Sequence, residues 1–370
     1  MSSPVHEFFH GKCILVLGGT GSWGSELVRQ LVESQTPGEV RIFSRGEHEQ
    51  VTMRLQFRHV PALRFIVGDI RDAQRVRTAM KGADIVFNLA ALKHVPVCEE
   101  NVWEAVQTNI IGVQNVVTAA MEHGVETVVQ VSSDKAVDPL NVYGYTKGVA
   151  ERLVTSASHA PSKPERTKFV CVRAGNVLGT TGSVVPLFVA QIRQHNRVTL
   201  THEGMSRFFM RQAEAIALLL KATVESAGGE VFVTQMPGAR MRDFAEVMIE
   251  RLGNATTDIE TIGVRPGEKM HEVLVSKHEV SRTVVDGAYY VILPQVFHRT
   301  FEWERYRDMP RFEMEEYTSQ NTRLLIKSEI AQLLEEDGWF RESGDPERVL
   351  AGAYARIGVA TGVPRTAARP

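Results

Sequence analysis

The chain has 370 residues, 43% of them hydrophobic and 23% charged, and a formal net charge of -2. That balance fits a soluble globular chain with one large domain or two closely joined ones, and it leaves no basic field suited to nucleic acid or anionic lipid. No apolar run reaches the roughly 18 residues that span a bilayer. Residues 1–10 lack the basic start and apolar core of a secretory signal and read as a flexible leader. Cys13, Cys98 and Cys171 are scattered, which suggests free thiols in a reducing cytoplasm rather than a metal site.

Residues 12–17 predict a first strand, followed by Gly18-Gly19-Thr20-Gly21-Ser22-Trp23-Gly24 and a helix over about 25–33. Glycines at that spacing between strand and helix let the backbone approach a pyrophosphate at the helix N-terminus. A second strand, 40–43, ends at Ser44-Arg45-Gly46, where an NAD site usually has Asp or Glu for the ribose. A hydroxyl and a guanidinium there suit a 2'-phosphate, so NADP is expected over NAD; a solvated loop arginine is the plainer alternative.

A third strand, 63–67, leads to Gly68-Asp69-Ile70, where Asp69 is placed either for an adenine amine or to cap a helix. A fourth, 84–87, ends at Asn88-Leu89-Ala90-Ala91-Leu92-Lys93. The small Ala90 and Ala91 permit close approach of a cofactor, and Lys93 is either a ribose or phosphate contact or a surface lysine. A long amphipathic helix, about 102–122, then leads to a strand at 127–131. The alternation gives an α/β fold: a Rossmann-like doubly wound parallel sheet, with residues 11–180 as its main body. Residues 181–340 read mainly as a smaller α+β substrate-binding cap, with later segments returning to the sheet. Residues 301–319 resist assignment, and 341–370 read as a flexible tail.

After the 127–131 strand comes Ser132-Ser133-Asp134-Lys135-Ala136-Val137, then Tyr143 and Lys147 within a helix running to about residue 158. Residues four apart share a helix face, so Lys147 is expected beside Tyr143, where an ammonium would favour the phenolate. Such a Tyr takes a proton from an alcohol while hydride leaves the same carbon. Asp134-Lys135 adds an acid and a base on one loop; a surface ion pair capping the next helix is the alternative.

These motifs, with Gly175-Asn176-Val177-Leu178-Gly179, Ser206-Arg207-Phe208-Phe209-Met210 and Arg265-Pro266-Gly267-Glu268-Lys269, resemble the extended short-chain dehydrogenases/reductases. More narrowly, roughly residues 10–330 resemble the inverting UDP-N-acetylglucosamine 4,6-dehydratases of bacterial polysaccharide biosynthesis. The chain departs from that pattern at Asn88-Leu89, Ala174 and Arg211-Gln212, which border the cofactor or sugar pocket. The resemblance implies bound NADP, a UDP-sugar substrate, a homo-oligomer (dimer or hexamer) and a redox-neutral reaction. Tyr143, Lys147 and Ser133 would serve oxidation at C4, Lys135 would remove the C5 proton, and Asp134 would protonate the departing 6-hydroxyl. Arg207 and Arg265 are the expected diphosphate clamps, with Asn176, Glu268 and Lys93 also at the substrate. An epimerase or reductase of the same fold would use Tyr143 and Lys147 but not Asp134-Lys135. A catalytically silent NADP-binding regulator is the third possibility.

Overall fold

The strand Cys13–Leu17 (β1) is buried on both faces: Ile14 and Val16 join one apolar cluster, Leu15 and Leu17 another. A strand of that kind needs a layer of helices on each side. The computed structural model, which describes residues 4–160, 163–164, 167–180, 183–295 and 303–340, supplies both layers. The expected tail lies outside those residues.

The strands that follow are β2 (Glu39–Ser44), β3 (Leu63–Val67), β4 (Ile85–Asn88), β5 (Thr127–Ser133), β6 (Lys168–Ala174), β7 (Asn176–Val177) and β8 (Arg197–Leu200). After them come β9 (Ser206–Met210), β10 (Val231–Thr234), β11 (Gly238–Arg240) and β12 (Asp258–Thr261). The last are β13 (Val273–Val275), β14 (Thr283–Asp286), β15 (Tyr289–Ile292) and β16 (Tyr317–Thr318). Nine form one sheet in the order β14-β15-β10-β6-β5-β4-β1-β2-β3. From β10 to β3 all neighbours run parallel, and β15 and β14 close the edge as an antiparallel hairpin. Strand order reverses between β1 and β4, and ligands of open α/β sheets bind at the carboxyl ends beside such a reversal.

Helices Ala73–Met80, Gly112–His123 and Val142–Ala157 cover one face through Val76, Val116 and Val154. Ser22–Gln30 and Gln212–Glu225 cover the other through Leu27 and Leu219. The helix 212–225 therefore belongs to the sheet, although it lies within the stretch read as cap. A third core holds the cap together, with Phe188, Val198, Phe209, Phe244 and Leu334 at its centre. Among the described residues, no helix is long and apolar enough to cross a membrane.

Two expectations need correction. The start is not a loose leader: Pro4–Phe9 is a helix whose Phe9 is fully buried and stacked on Phe87, with ring centroids 6.4 Å apart. Six residues are too few to show a helical period, so the anchoring aromatic went unread. The helix expected over 102–122 is interrupted: Val102–Val106 passes through a wide π-helical turn, Gln107–Ile111, into Gly112–His123. Asn109, buried, lies within this turn.

Candidate active site

The glycine turn sits at the strand reversal. Gly18 has φ +78°, and a Cβ there would come within 2.9 Å of the Ala90 backbone nitrogen. Gly24 packs as tightly, since its Cβ would lie 2.5 Å from the Gly18 carbonyl oxygen. The helix after β1 begins at Ser22, three residues earlier than the sequence suggests, directly after Gly21. Gly21 is its N-cap and offers no side-chain acceptor, and the N-terminus of a helix is a favourable place for an anion. Thr20, Ser22 and Trp23 lie in this cradle, and the Gln212 amide donates to the Ser22 carbonyl at 2.7 Å. A dinucleotide pyrophosphate fits such a turn.

At the end of β2, Ser44 is buried and its hydroxyl accepts from the Gln50 amide at 3.0 Å. Arg45 is largely exposed and stands 4.0 Å from an Asp69 oxygen. Asp69 accepts from both the backbone and the guanidinium of Arg71 at 2.9 Å, next to Ile70. Although partial burial opposes it, these bonds hold the Asp69 carboxyl below its usual pKa. Asp72, not Asp69, caps the following helix by accepting from the Arg75 N–H. Asn88 donates to Gln130 at 2.7 Å in the buried sheet. The loop carrying Ala90, Ala91 and Lys93 is then held by Asn109. Its side chain bonds the Leu92 N–H and carbonyl at 2.9 Å each, and donates to the Thr146 hydroxyl at 3.0 Å. Lys93 stands at an exposed edge, crowded enough that burial lowers its ammonium pKa.

Strand β5 extends two residues beyond its predicted end, so Ser133 pairs with Ala174 and Asp134 emerges at the carboxyl edge of the sheet. Asp134–Ala136 is a 3-10 turn in which the Ser133 hydroxyl accepts from the Lys135 N–H and donates to Asp134 Oδ1 at 2.7 Å. Lys135 Nζ lies 3.1 Å from that oxygen and 3.4 Å from Glu272 Oε1. Glu272 also lies 3.5 Å from Arg207 Nε. Asp134 and Glu272 are buried, and Asp134 Oδ2 and Glu272 Oε2 have no hydrogen-bond partner among the described residues.

Burial raises the Asp134 carboxyl pKa; Lys135 opposes this and Glu272 reinforces it. Burial would depress the Lys135 ammonium, but the Asp134 and Glu272 carboxylates outweigh it and hold the pKa above normal. The Asp134-Lys135 pair is thus set into the site and is not the solvated ion pair considered above.

Helix Val142–Ala157 begins at Asn141, which accepts from the Gly144 N–H at 2.8 Å and donates to the Gly267 carbonyl at 2.8 Å. A Cβ on Gly144 would stand 2.3 Å from the Lys135 carbonyl oxygen, so the helix lies directly on the Asp134–Ala136 turn. Tyr143 packs with Cys98 and Ala105. Burial pushes its phenol up to about 12, against the opposing Lys135 charge and a hydrogen bond with Ser133. Lys147 is buried one turn on. Burial pushes it down to about 8, and it donates to the Val131 carbonyl at 2.5 Å. Among the described residues no hydrogen bond joins Lys147 to Tyr143; the cation acting on that phenol is Lys135.

The 265–272 segment reaches the same place. Asn141 holds Gly267, and the Lys269 ammonium donates to the Val137 carbonyl. Glu268 keeps a buried carboxylate oxygen unpartnered, while Arg265 is exposed. Arg207, on β9, donates to the Ser206 carbonyl at 2.7 Å and the Met270 carbonyl at 3.2 Å, so it is tied to this segment as well as to Glu272. Asn176 lies on β7, level with Phe209 of β9. Sequence reasoning missed Glu272 and Asn109. Nothing local marks either: one follows the Arg265–Lys269 motif by three residues, and the other is mid-helix.

Beneath the site, the Arg173 guanidinium meets Glu151 of helix Val142–Ala157 at 2.5 and 2.9 Å and Glu279 at 2.7 and 2.8 Å. Burial alone would raise the Glu279 carboxyl, but Arg173 holds it at about 2. This buried network fixes the helix against β6 and the segment after β13.

A family model described as "Polysaccharide biosynthesis protein" matches residues 14–294. An uncharacterised membrane protein of Methanocaldococcus jannaschii is 44% identical over 286 residues, 76% of this chain and 85% of that one. A UDP-glucose 4-epimerase of Rickettsia canadensis is 37% identical over 332 residues, 88% of this chain and 96% of that one. An inverting UDP-N-acetylglucosamine 4,6-dehydratase of Campylobacter jejuni is 36% identical over 289 residues, 78% and 84% of the two chains. The solved structure of Pen from Bacillus thuringiensis superposes with a TM-score of 0.83 at 39% identity, covering 89% of this chain and 99% of that one. The chain belongs to the polysaccharide biosynthesis protein family, as an extended short-chain dehydrogenase/reductase that resembles the inverting UDP-N-acetylglucosamine 4,6-dehydratases.

Proposed function

We propose that the protein is a nucleotide-sugar 4,6-dehydratase that converts UDP-N-acetylglucosamine, or a close UDP-sugar, to a 4-keto-6-deoxy product with inversion at C5. The observation that carries this reading is the Asp134-Lys135 pair, a buried carboxylate 3.1 Å from a part-buried amine, on the turn against which the Tyr143 helix rests. Epimerisation at C4 alone has no use for a second acid and base. The 36–37% relatives, named for both activities, support a nucleotide-sugar substrate.

The glycine turn would hold the cofactor pyrophosphate, Ser44 and Arg45 the adenosine 2'-phosphate of NADP, and Lys147 the nicotinamide ribose. A nicotinamide held there would supply the hydride acceptor for C4 of the sugar and the hydride donor for C6. Tyr143 removes the 4-hydroxyl proton, with Ser133 orienting the phenol and Lys135 favouring its ionised form. A proton passed along the 3.1 Å Lys135–Asp134 contact then turns an ion pair into an amine and a carboxylic acid. Those are the two forms the elimination needs: Lys135 takes the C5 proton, and Asp134 gives its proton to the departing 6-hydroxyl, which leaves as water. As hydride reaches C6, an exchangeable proton, such as the one the Tyr143 phenol took from the 4-hydroxyl, would return to C5 on the opposite face and complete the inversion. Arg207 and Arg265 serve the diphosphate, and Asn176, Glu268 and Lys93 the rest of the substrate. A cytoplasmic homo-oligomer completes the reading.

Lys135→Ala tests it. The variant should still reduce bound cofactor on adding UDP-N-acetylglucosamine, more slowly because Lys135 also favours the Tyr143 phenolate, while water loss, followed by mass spectrometry, falls about 100- to 10,000-fold and the reduced cofactor accumulates. In heavy water the parent should place deuterium at C5. Unlabelled C5 with no loss of water would remove the dehydratase assignment in favour of the epimerase, and dehydration at the parent rate by Lys135→Ala would remove Lys135 as the base at C5.

A further inference from the structure

We infer that Glu272 is a positioning residue for this site, holding the Lys135 amine at the reacting turn in its charged form and thereby setting where the Asp134–Lys135 proton rests. The inference rests on the dehydratase reading for its consequence, but the geometry stands apart from it. Lys135 Nζ is shared between two buried carboxylates from distant segments, Asp134 Oδ1 at 3.1 Å and Glu272 Oε1 at 3.4 Å. Each carboxylate keeps one buried oxygen with no partner among the described residues, so neither is neutralised by a second full set of hydrogen bonds.

Glu272 is itself held in place. Its N–H donates to the Ser319 hydroxyl at 2.9 Å, and Ser319 bonds Ser206 at 2.8 Å, which in turn bonds His271 at 2.8 Å. With its backbone so anchored and its carboxylate 3.5 Å from Arg207 Nε, Glu272 holds the end of a flexible four-carbon side chain that is about a quarter exposed.

The charge on Glu272 acts on the proton as well as on the position. Among the described residues, the charged or titratable groups facing Lys135 are Asp134 on its own turn, Tyr143 on the helix, Arg207 on β9, and Glu272 with Lys269 on the 265–272 segment. Glu272 favours the ammonium, which opposes the proton hop to Asp134; Arg207, 3.5 Å from Glu272, weakens that hold. Glu272 and Arg207 therefore pull the balance in opposite directions, and the resting site keeps its base protonated.

The test uses Glu272→Gln, which keeps the shape and one acceptor but removes the charge, and Arg207→Gln, which removes the opposing charge. The titration of the Lys135 side chain is read in the substrate-free full-length protein by carbon-13 NMR of its ε-methylene, assigned by its loss in Lys135→Arg. An opposite charge at this range moves a titration by about 1 to 3 pH units. Glu272→Gln should move the Lys135 midpoint down by about that much, and Arg207→Gln should move it up. In turnover, the acid limb of water loss in Glu272→Gln should move to lower pH, with C4 oxidation retained. Midpoints that stay within about 0.3 pH unit of the parent in both variants would overturn the inference, as would a uniform loss of rate at every pH with no shift of the limb. If Glu272→Gln does not fold, the Arg207→Gln midpoint decides. A parent that titrates as described but loses no water from any UDP-sugar would sink the dehydratase reading and leave the Glu272 assignment standing.

Discussion

Gly144→Ala is the sharpest test of how the site is assembled. The added Cβ would lie 2.3 Å from the Lys135 carbonyl oxygen and 3.0 Å from Pro139 Cβ. Non-bonded atoms need about 3.4 Å, so the start of the catalytic helix must retreat about 1 Å from the Asp134–Ala136 turn. The struck atom is backbone, so no side-chain rotation relieves it. Overpacking of this kind costs about 1–3 kcal/mol, partly offset by the better helix propensity of alanine, about 1 kcal/mol, so the protein should still fold. Catalysis is more sensitive: a misplacement of about 1 Å costs about 100-fold. Gly148→Ala is the internal control, since its Cβ would stand 3.2 Å from the Ala136 carbonyl oxygen and asks for only a few tenths of an ångström. Rapid mixing of cofactor-loaded protein with UDP-N-acetylglucosamine, read by reduced-nicotinamide absorbance, should show about a 100-fold slower first step for Gly144→Ala. Gly148→Ala should stay within about 3-fold of the parent. A Gly144→Ala protein with native circular dichroism and the parent rate would show that the helix–turn contact does not set the geometry.

Glu279, held at about 2 from its usual 4.5, contributes stability that is complete above about pH 4.5 and lost as pH falls through about 2. That is on the order of 3 kcal/mol; urea unfolding should show a steeper loss between about pH 5 and pH 2 for the parent than for Glu279→Gln, and equal slopes would count against it. Arg45→Ala should weaken any preference for NADP over NAD by about 1–3 kcal/mol in paired binding titrations, and a parent with equal affinity for both would end the NADP assignment. Phe9→Ala should cost about 3–5 kcal/mol of stability, because the side chain is fully buried, whereas a loose leader would cost nothing measurable.

The sequence by itself determined what local rules control. Period and length gave the strands at 12–17, 63–67 and 127–131 close to their observed bounds, and with them the parallel sheet. The glycine spacing, Tyr143-x-x-x-Lys147 and Asp134-Lys135 are each contiguous, so their chemistry could be read without knowing what surrounds them. Tertiary structure decided everything that depends on segments meeting from far apart. Helical spacing put Lys147 one turn from Tyr143, yet Lys147 bonds the Val131 carbonyl, and Lys135 is the cation that acts on the phenol. Glu272 reaches Lys135 only because Asn141 and Lys269 dock its segment on the catalytic turn. Asn109, in the π-helical turn, bonds Leu92 and Thr146, which lie 17 and 37 residues away in the chain. Proton affinities in such a site follow from burial and from charges a few ångströms away, and neither quantity exists until the chain has folded.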